Sequence, residues 1–523
     1  MMSNVLGRRA VLMRCAPAII VLLALIRCGG GAKVVTVGVE ETDLRLKQAQ
    51  TLVSQGHYTA FKKAVRLYGD LYRISSMRPM VAGSYVEACL LLALRERQIG
   101  IESPGAIDLA DRLIGENPAL KGLAPYAVVI RAVPVNTPGV MSDIDTTFRS
   151  GTNAENFKAS EEIVRRKAAT DGFAAYVMAS RACSFGRFSG NFPSAAESLK
   201  AFPDSILMTY LAATCGESEP QLLTELLARD PGFAEAHFHL GQAALKRGEL
   251  LTAEKELLEA YQAIPESPQT RILLAGIYFA TEEFDQSLAF YDLTLQISPQ
   301  YRDALLGKAV CLSYLGRYEE SMATLNRILE LGYWLIGESH YWLAWNLREL
   351  KRNPEALTHA DEAKSRLPTN AEVFALSGTI ALDLDNLARA EKDFTESLQY
   401  NPAGTESLFG LGTVASRRNR WESAGTWFER AGQAFDGVAT ALRTKIDEIE
   451  NSALSPERRS KLLRNRQGQL DRTLLTGATS YYDAAAAYLN AAIPEKARAC
   501  AAKSAVHPAL REKTDELLRS IKN

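Results

Sequence analysis

Few residues in this chain stand at spacings that support chemistry. His237 and His239 lie two apart in the run HFHLG. On a helix that spacing sends the imidazoles in divergent directions, so packing or surface roles are expected rather than a shared metal ion. The cysteines at 15, 28, 89, 183, 215, 311 and 500 include no Cys-x-x-Cys and no cluster. Neither a zinc site nor a disulfide framework is encoded, and the thiols beyond the N-terminal segment are expected to pack as small apolar residues. No His-Glu-x-x-His, phosphate loop, Gly-x-Ser-x-Gly or dinucleotide fingerprint occurs. The basic runs SPERRSKLLRNRQGQLDR (455–472) and SRRNRW (416–421) carry the charge to bind anions but read as solvated helix faces. With 60 Lys+Arg against 61 Asp+Glu, no global field draws in nucleic acid. The expectation is a non-enzymatic protein with no cofactor, no metal, no small-molecule substrate and no nucleic-acid partner.

What positions the side chains is a repeat. Segments beginning at 234, 268, 302, 337, 371 and 405 are spaced 34, 34, 35, 34 and 34 residues apart. A small residue recurs at the eighth position: Gly241, Ala275, Ala309, Ala344, Gly378 and Gly412. Another recurs at the twentieth: Ala253, Ser287, Ser321, Ala356, Ala390 and Ala424. Two antiparallel helices approach closely only where their crossing carries almost no side chain, and both rows mark such crossings. Larger residues fill the space at the twenty-fourth position, as in Leu257, Tyr291, Leu325, Phe394 and Phe428. Pro265, Pro299, Pro368 and Pro402 end four units and stop a helix each time, whereas Tyr333 and Asp436 replace the proline in the other two. Lys308 departs from the usually apolar seventh position.

This pattern resembles the tetratricopeptide repeat, as in AEAHFHLGQAALKRGELLTAEKELLEAYQAIP (234–265) and AEVFALSGTIALDLDNLARAEKDFTESLQYNP (371–402). The resemblance implies an all-α, right-handed superhelical solenoid of antiparallel helix pairs whose first helices line a concave groove. It also assigns the groove floor to positions 2, 5, 9, 12 and 13 of each unit. On that basis the protein-binding residues are Phe238, Gln242, Lys246, Phe279, Tyr314, Tyr341, Trp345, Arg348, Phe409 and Arg417. Tyr341, Trp345 and Arg348 fall about one turn apart on one helix and form the leading candidate. Some relatives grip a peptide carboxylate with Lys at position 5 and Asn at position 9. Here position 5 holds Phe238, Ile272, Leu306, Tyr341, Ala375 and Phe409, and position 9 has no Asn, so that clamp is not expected.

Looser helical units extend the array. Residues 46–72 read as a helix pair, 103–118 as a second helix, 219–231 as a truncated unit and 481–508 as a C-terminal unit, closed by a polar helix over 509–523. Residues 120–200 lose the period and read as irregular helical repeats.

At the N-terminus, Arg8, Arg9 and Arg14 precede the apolar run APAIIVLLALI (16–26). That run suits the core of an export signal better than a membrane-spanning helix. Leu25-Ile26-Arg27-Cys28 resembles the lipobox of bacterial lipoproteins in its Leu and Cys, with Arg27 where a small residue is usual. This resemblance implies lipidation at Cys28, and Gly29-Gly30-Gly31-Ala32 suits a tether. The domain reading is a signal or anchor (1–27), a tether (28–42), irregular helical repeats (43–233), six regular units (234–437), a helical spacer or hairpin (438–477) and a C-terminal repeat with its capping helix (478–523). The functional expectation is a non-catalytic scaffold of the bacterial cell envelope, periplasmic and membrane-attached, that binds a protein partner. The alternatives are a cytoplasmic or inner-membrane-anchored adaptor, and an enzyme with its site in 120–200.

Overall fold

The computed structural model describes residues 39–101, 103–135, 154–185, 194–215, 219–332, 335–452 and 454–522, and among these all regular structure is helical. Cys28, expected as a lipidation site, and the segment expected to be an export signal lie outside the described residues. The chain enters through α1 (Val39–Gln55), α2 (Tyr58–Tyr72), α3 (Arg78–Gln98), α4 (Gly105–Glu116) and α5 (Ala124–Arg131). It continues through α6 (Ala154–Lys167), α7 (Gly172–Phe185), α8 (Ala195–Ala201), α9 (Ile206–Thr214) and α10 (Pro220–Arg229). Helix α3 buries Cys89, Leu90, Leu91, Leu92, Ala93 and Leu94 in unbroken succession, so it is surrounded rather than packed on one face. One shared core runs from Ala49 through Leu90, Tyr126 and Met178 to Leu211, and reaches Ala234 and Ile264 of the first regular unit. Where the sequence loses its period, this common core takes the place of linear stacking. The described parts of 120–200 are helices that contribute Tyr126, Val129, Tyr176 and Val177 to it.

One expectation is corrected in this region. Cys183 and Cys215 form a disulfide with Cα atoms 5.4 Å apart, although no disulfide was expected from the cysteine spacing. The pairing arises because α7 and α9 pack together and bring the ends of the two helices into register, a tertiary fact that spacing along the chain does not encode. Cys89, Cys311 and Cys500 are buried free thiols.

A buried polar junction joins this body to the first regular unit. The Arg95 side chain is fully buried, 3.3 Å from the Glu235 carboxylate. Its guanidinium stacks 3.9 Å from the Tyr210 ring centroid and donates to the Gly56 carbonyl at 2.8 Å. The Tyr58 N–H donates to Glu235 at 2.7 Å. Stranding either charge by removing its partner costs roughly 3–5 kcal/mol, so the junction fixes the register of the two parts.

The period then becomes helix pairs. They are α11 (Ala234–Lys246) with α12 (Leu250–Ala263), α13 (Pro268–Ala280) with α14 (Phe284–Ile297), and α15 (Arg302–Tyr314) with α16 (Tyr318–Glu330). Next come α17 (Ile336–Glu349) with α18 (Asn353–Arg366), α19 (Ala371–Asp383) with α20 (Leu387–Tyr400), and α21 (Thr405–Arg417) with α22 (Trp421–Glu450). From the second pair on, first helices of successive pairs touch one another while the second helices are not comparably close, which puts the first helices on the inner side of the curve. Within a pair, the chain turns at position 15 through a residue of positive φ: Gly248, Glu282, Gly316, Lys351, Asp385 or Asn419. The N–H of the following residue bonds back to the helix, as in Glu283 N–H to Tyr278 O at 2.8 Å and Arg352 N–H to Leu347 O at 2.8 Å. The C-terminal unit repeats this turn at Ala492, with Ile493 N–H bonded to Tyr488 O at 2.9 Å.

The small-residue rows do what close crossing demands. All six residues at position 20 are fully buried. Where that residue is serine, its hydroxyl is satisfied by the facing position-8 carbonyl: Ser287 donates to Ala275 O at 2.8 Å and Ser321 to Ala309 O at 2.7 Å. Position 24 fills the crossing of its own pair and also reaches position 6 of the next unit. A Cβ on Gly378 would meet Phe394 at 2.7 Å, and Gly410 in the next unit lies against the same ring. Sizes at these two positions compensate along the stack: Tyr291 faces Gly307, Phe394 faces Gly410, and the smaller Leu325 shares a core with Trp342. Lys308, the polar departure, pairs with Asp292 of the preceding unit at 2.7 Å.

Because Phe394 is gripped from two units, Gly410→Ala is expected to destabilise the array by about 1–3 kcal/mol, and Phe394→Leu in the same chain to recover part of that loss. Urea midpoints of the two single variants and the double variant check this, and strictly additive effects would disprove the contact.

Candidate functional site

The helix-stopping prolines explain where the inner face opens. Helices α12, α14, α18 and α20 each end two residues before Pro265, Pro299, Pro368 and Pro402. The third unit lacks the proline too but ends α16 at Glu330 through Gly332 of positive φ; the sixth, with Asp436, has neither device, so α22 runs on to Glu450, and the chain returns through α23 (Pro456–Asn490) to α24 (Pro494–Ser504) and α25 (Arg511–Lys522). The stretch 438–477 is therefore shared between two long antiparallel helices. Gly425 and Gly432 on α22 admit the rings of Tyr488 and Tyr481, and the Tyr481 hydroxyl donates to Asp436 at 2.7 Å.

The far end of this hairpin straps back to the first two pairs. Arg458 pairs with Glu254 at 2.9 Å and with Glu283, and Lys461 pairs with Glu283 at 2.6 Å. Arg466 donates to Ala280 O at 2.6 Å, Asn465 to Thr281 O at 2.9 Å, and Gln469 to Glu282. Leu462 and Ile449 are buried beneath, beside the Gly248–Thr252 turn. Burial alone raises the Glu283 carboxyl, but hydrogen bonds from Arg458, Lys461 and Thr281 outweigh it and hold the group below its ordinary value.

Between strap root and strap tip, the first helices and the turn-proximal ends of α14 and α16 display a continuous band of rings. Phe279 meets Phe284 at 5.3 Å between centroids, and Phe284 stacks on Tyr314 at 4.9 Å. Tyr314 lies 5.7 Å from Trp342 and 6.0 Å from Trp345, while Tyr341 meets Trp342 at 5.2 Å and Tyr318 meets Trp345 at 5.9 Å. Tyr314 is 50% exposed at the centre of the band, and the other rings are half-buried. Phe279, Tyr314, Tyr341 and Trp345 are thus brought together as one surface.

The remaining candidates are placed elsewhere. Arg348 and Phe409 line a cavity of about 430 Å³ with Thr379 and Thr413, walled by Phe435 and Thr476 at the root of the strap. Arg348 is held by Asp383 at 2.8 Å, and Arg417 by Asp385 at 3.1 Å and Leu382 O at 3.2 Å. Phe238 packs edge-on to His239 at 5.1 Å, with Gln242 half-buried and Lys246 exposed nearby, and among the described residues no ring contact links this group to the band. His237 and His239 diverge, the first to Glu256 at 2.7 Å and the second to the Tyr210 hydroxyl at 3.2 Å. Sequence reasoning missed Phe284, Tyr318 and Trp342. Position 17 carries the first two in consecutive units, a recurrence that was there to be read. Trp342 follows from the small partner Leu325 across the unit boundary.

Among the described residues no three His, Cys, Asp or Glu side chains are grouped to hold a metal ion, and no helix is long and apolar enough to cross a membrane. The site's resources are aromatic area, a few carboxylates and already-paired arginines, which suit recognition of another polypeptide.

The family model of the tetratricopeptide repeat matches residues 216–269 and 376–439. Human protein O-mannosyl-transferase TMTC1 is 22% identical over 202 residues, covering 38% of this chain and 23% of that protein. Cellulose synthase operon protein C of Pseudomonas fluorescens is 33% identical over 89 residues, 17% of this chain and 7% of that protein. The chain therefore spans less than a quarter of the length of either relative. Among solved structures, the APC/C hetero-tetramer Cut9–Hcn1 is similar with a TM-score of 0.40 and 12% identity, over 92% of this chain and 96% of that one.

The strap yields a prediction of its own. Exposed ion pairs contribute about 0–1 kcal/mol each, but Glu283 is buried, and a charge introduced there is stranded. Glu283→Lys is expected to speed hydrogen exchange across 445–470 by about tenfold or more, with 371–417 unchanged. Since the folded state holds Glu283 ionised below its usual pKa, its contribution is full at neutral pH and is lost as pH falls through the depressed value; acidification of the wild type should loosen the same segment. Unchanged exchange in both cases would show that the strap is not held by this carboxylate.

Proposed function

Because the chain is a tetratricopeptide repeat protein, we propose that it holds a protein partner against the aromatic band of its inner face and keeps that partner near a bacterial membrane. The fold implies a protein–protein interaction scaffold; the groove and the compartment belong to this proposal. One observation carries the groove: rings from three consecutive pairs form a single contact chain centred on the exposed Tyr314. Aromatic side chains supply large area at low conformational cost and dominate the energetics of many interfaces. The mechanism is mass action, in which the partner is concentrated where the scaffold is tethered.

Two features support the envelope. The N-terminal segment reads as an export signal ending in Cys28, and the Cys183–Cys215 disulfide suits an oxidising compartment such as the periplasm. In this reading Cys28 carries the lipid and the tether that follows it sets the reach of the solenoid.

A photo-crosslinking residue at position 314 is expected to trap a partner in cells, whereas the same residue at Lys392, exposed on α20, is not. Tyr341→Ala with Trp345→Ala should abolish the adduct. Equal trapping at both positions would remove the groove from the proposal. For the compartment, mass spectrometry of the mature chain is expected to find a diacylated peptide starting at Cys28; an intact Met1 or Met13 terminus would overturn membrane attachment through this cysteine.

A further inference from the structure

We infer that the segment docked on the band is a basic amphipathic helix, one that sets apolar side chains on the rings and directs Lys or Arg toward Glu372 and Glu406. This rests on the reading of the inner face as a docking groove given above.

Negative charge is left over on this face. Position 2 of the first helix is acidic in most units, as Glu235, Asp303, Glu338, Glu372 and Glu406. Glu235 is answered by Arg95 and Asp303 by Arg302. Glu372 and Glu406 are exposed, and among the described residues neither makes an ion pair; Glu406 accepts only the Thr379 hydroxyl, at 2.8 Å. Glu406 lines one cavity with Arg348, which follows Trp345 by one turn of α17, so it stands beside the band's far end; burial raises the Tyr341 phenol, and Glu372 and Glu406 push it further. The cations of the same face are already matched, Arg348 by Asp383 and Arg417 by Asp385. The open part of the face therefore presents apolar rings and unmatched negative charge together.

The molecule itself places a helix of this chemistry along the same edge. The strap segment 456–472 is a helix that buries Leu462 and Leu470 and turns Arg458 and Lys461 onto Glu254 and Glu283. A basic amphipathic helix thus already occupies the acidic turns of the first two pairs. Glu282, beside the near end of the band, is taken by Gln469 and Arg472 of the same helix. Of the position-2 carboxylates, Glu338 is half-buried, and the exposed ones without an internal cation are Glu372 and Glu406 of the fifth and sixth pairs. A partner of the same chemistry, laid over the fourth to sixth pairs, completes the pattern.

The test uses the full exported chain and two labelled synthetic probes of about 18 residues, an amphipathic Leu/Lys helix and its Leu/Glu counterpart, followed by fluorescence anisotropy. The Leu/Lys probe is expected to bind about tenfold more tightly than the Leu/Glu probe, and Glu372→Gln with Glu406→Gln to shrink that preference to about twofold or less. Tyr314→Ser should weaken the Leu/Lys probe without changing its sensitivity to these carboxylates. Equal binding of the two probes to the wild type, or a preference untouched by the double variant, would overturn the basic-helix inference; if Tyr314→Ser still weakened binding, the groove would stand. Failure of both probes to bind would overturn the inference and the groove reading together.

Discussion

The fold depends on two helices being able to cross with almost nothing between them. Fully buried small residues at position 20 face position 8 across each pair, and the residue at position 24 plugs the remaining space. That plug also touches position 6 of the next unit, so one side chain sets both the crossing within a pair and the stacking between pairs. Cores are packed densely enough that a change of a few methylenes is felt, which is why Tyr291 and Phe394 require glycine opposite them while Leu325 leaves room for Trp342. The aromatic band is a product of this compensation. Its rings meet because successive first helices are held at a fixed spacing, to which Trp342 contributes by packing on Leu325.

The end of the sixth unit governs the architecture of the other end. Proline ends the second helix in four units and Gly332 of positive φ follows its end in the third; the sixth has neither at Asp436, and α22 continues to Glu450. Tyr481 then uses the Asp436 carboxylate as an acceptor, so the residue that fails to stop the helix also fastens its partner helix. Burial of Leu462 and Ile449 at the strap's far end contributes about 2 kcal/mol per side chain, more than its exposed ion pairs can. The carboxylates decide where the strap lands, and the apolar residues decide that it stays.

How much of this the sequence makes legible follows from the range of the interactions. First helices begin at 234, 268, 302, 371 and 405, where the period puts them, and the fourth begins one residue early at Ile336. Pair packing is local and repeated, so it leaves a periodic trace. Four of the ten groove candidates meet in the band, because positions 5, 9, 12 and 13 inherit their direction from the same geometry. The Cys183–Cys215 bond, the Arg95–Glu235 junction and the contact of Arg458 with Glu254 are made once, between segments far apart in the chain, and nothing recurs to reveal them. Phe284 and Tyr318 are an intermediate case, since their shared position 17 is periodic but lies in the turn-proximal end of the second helix rather than on the first.

Recognition by such a face is decided by what the fold has not already neutralised. Arg348 and Arg417 look like anchors in the sequence, yet each is committed to an aspartate at the end of the fifth pair's first helix, and freeing either would expose a carboxylate that then has to be desolvated alone. They hold the rim in shape and leave little for a ligand. The rings have no such commitment. Tyr314 keeps half its surface in water, and covering it removes apolar area from solvent without breaking an internal contact. With the strap covering the turns of the first two pairs, the open face is confined to the central and later units, and the proposed docking draws on ring area there. In that proposal, sign and register fall to the carboxylates that no internal cation has claimed.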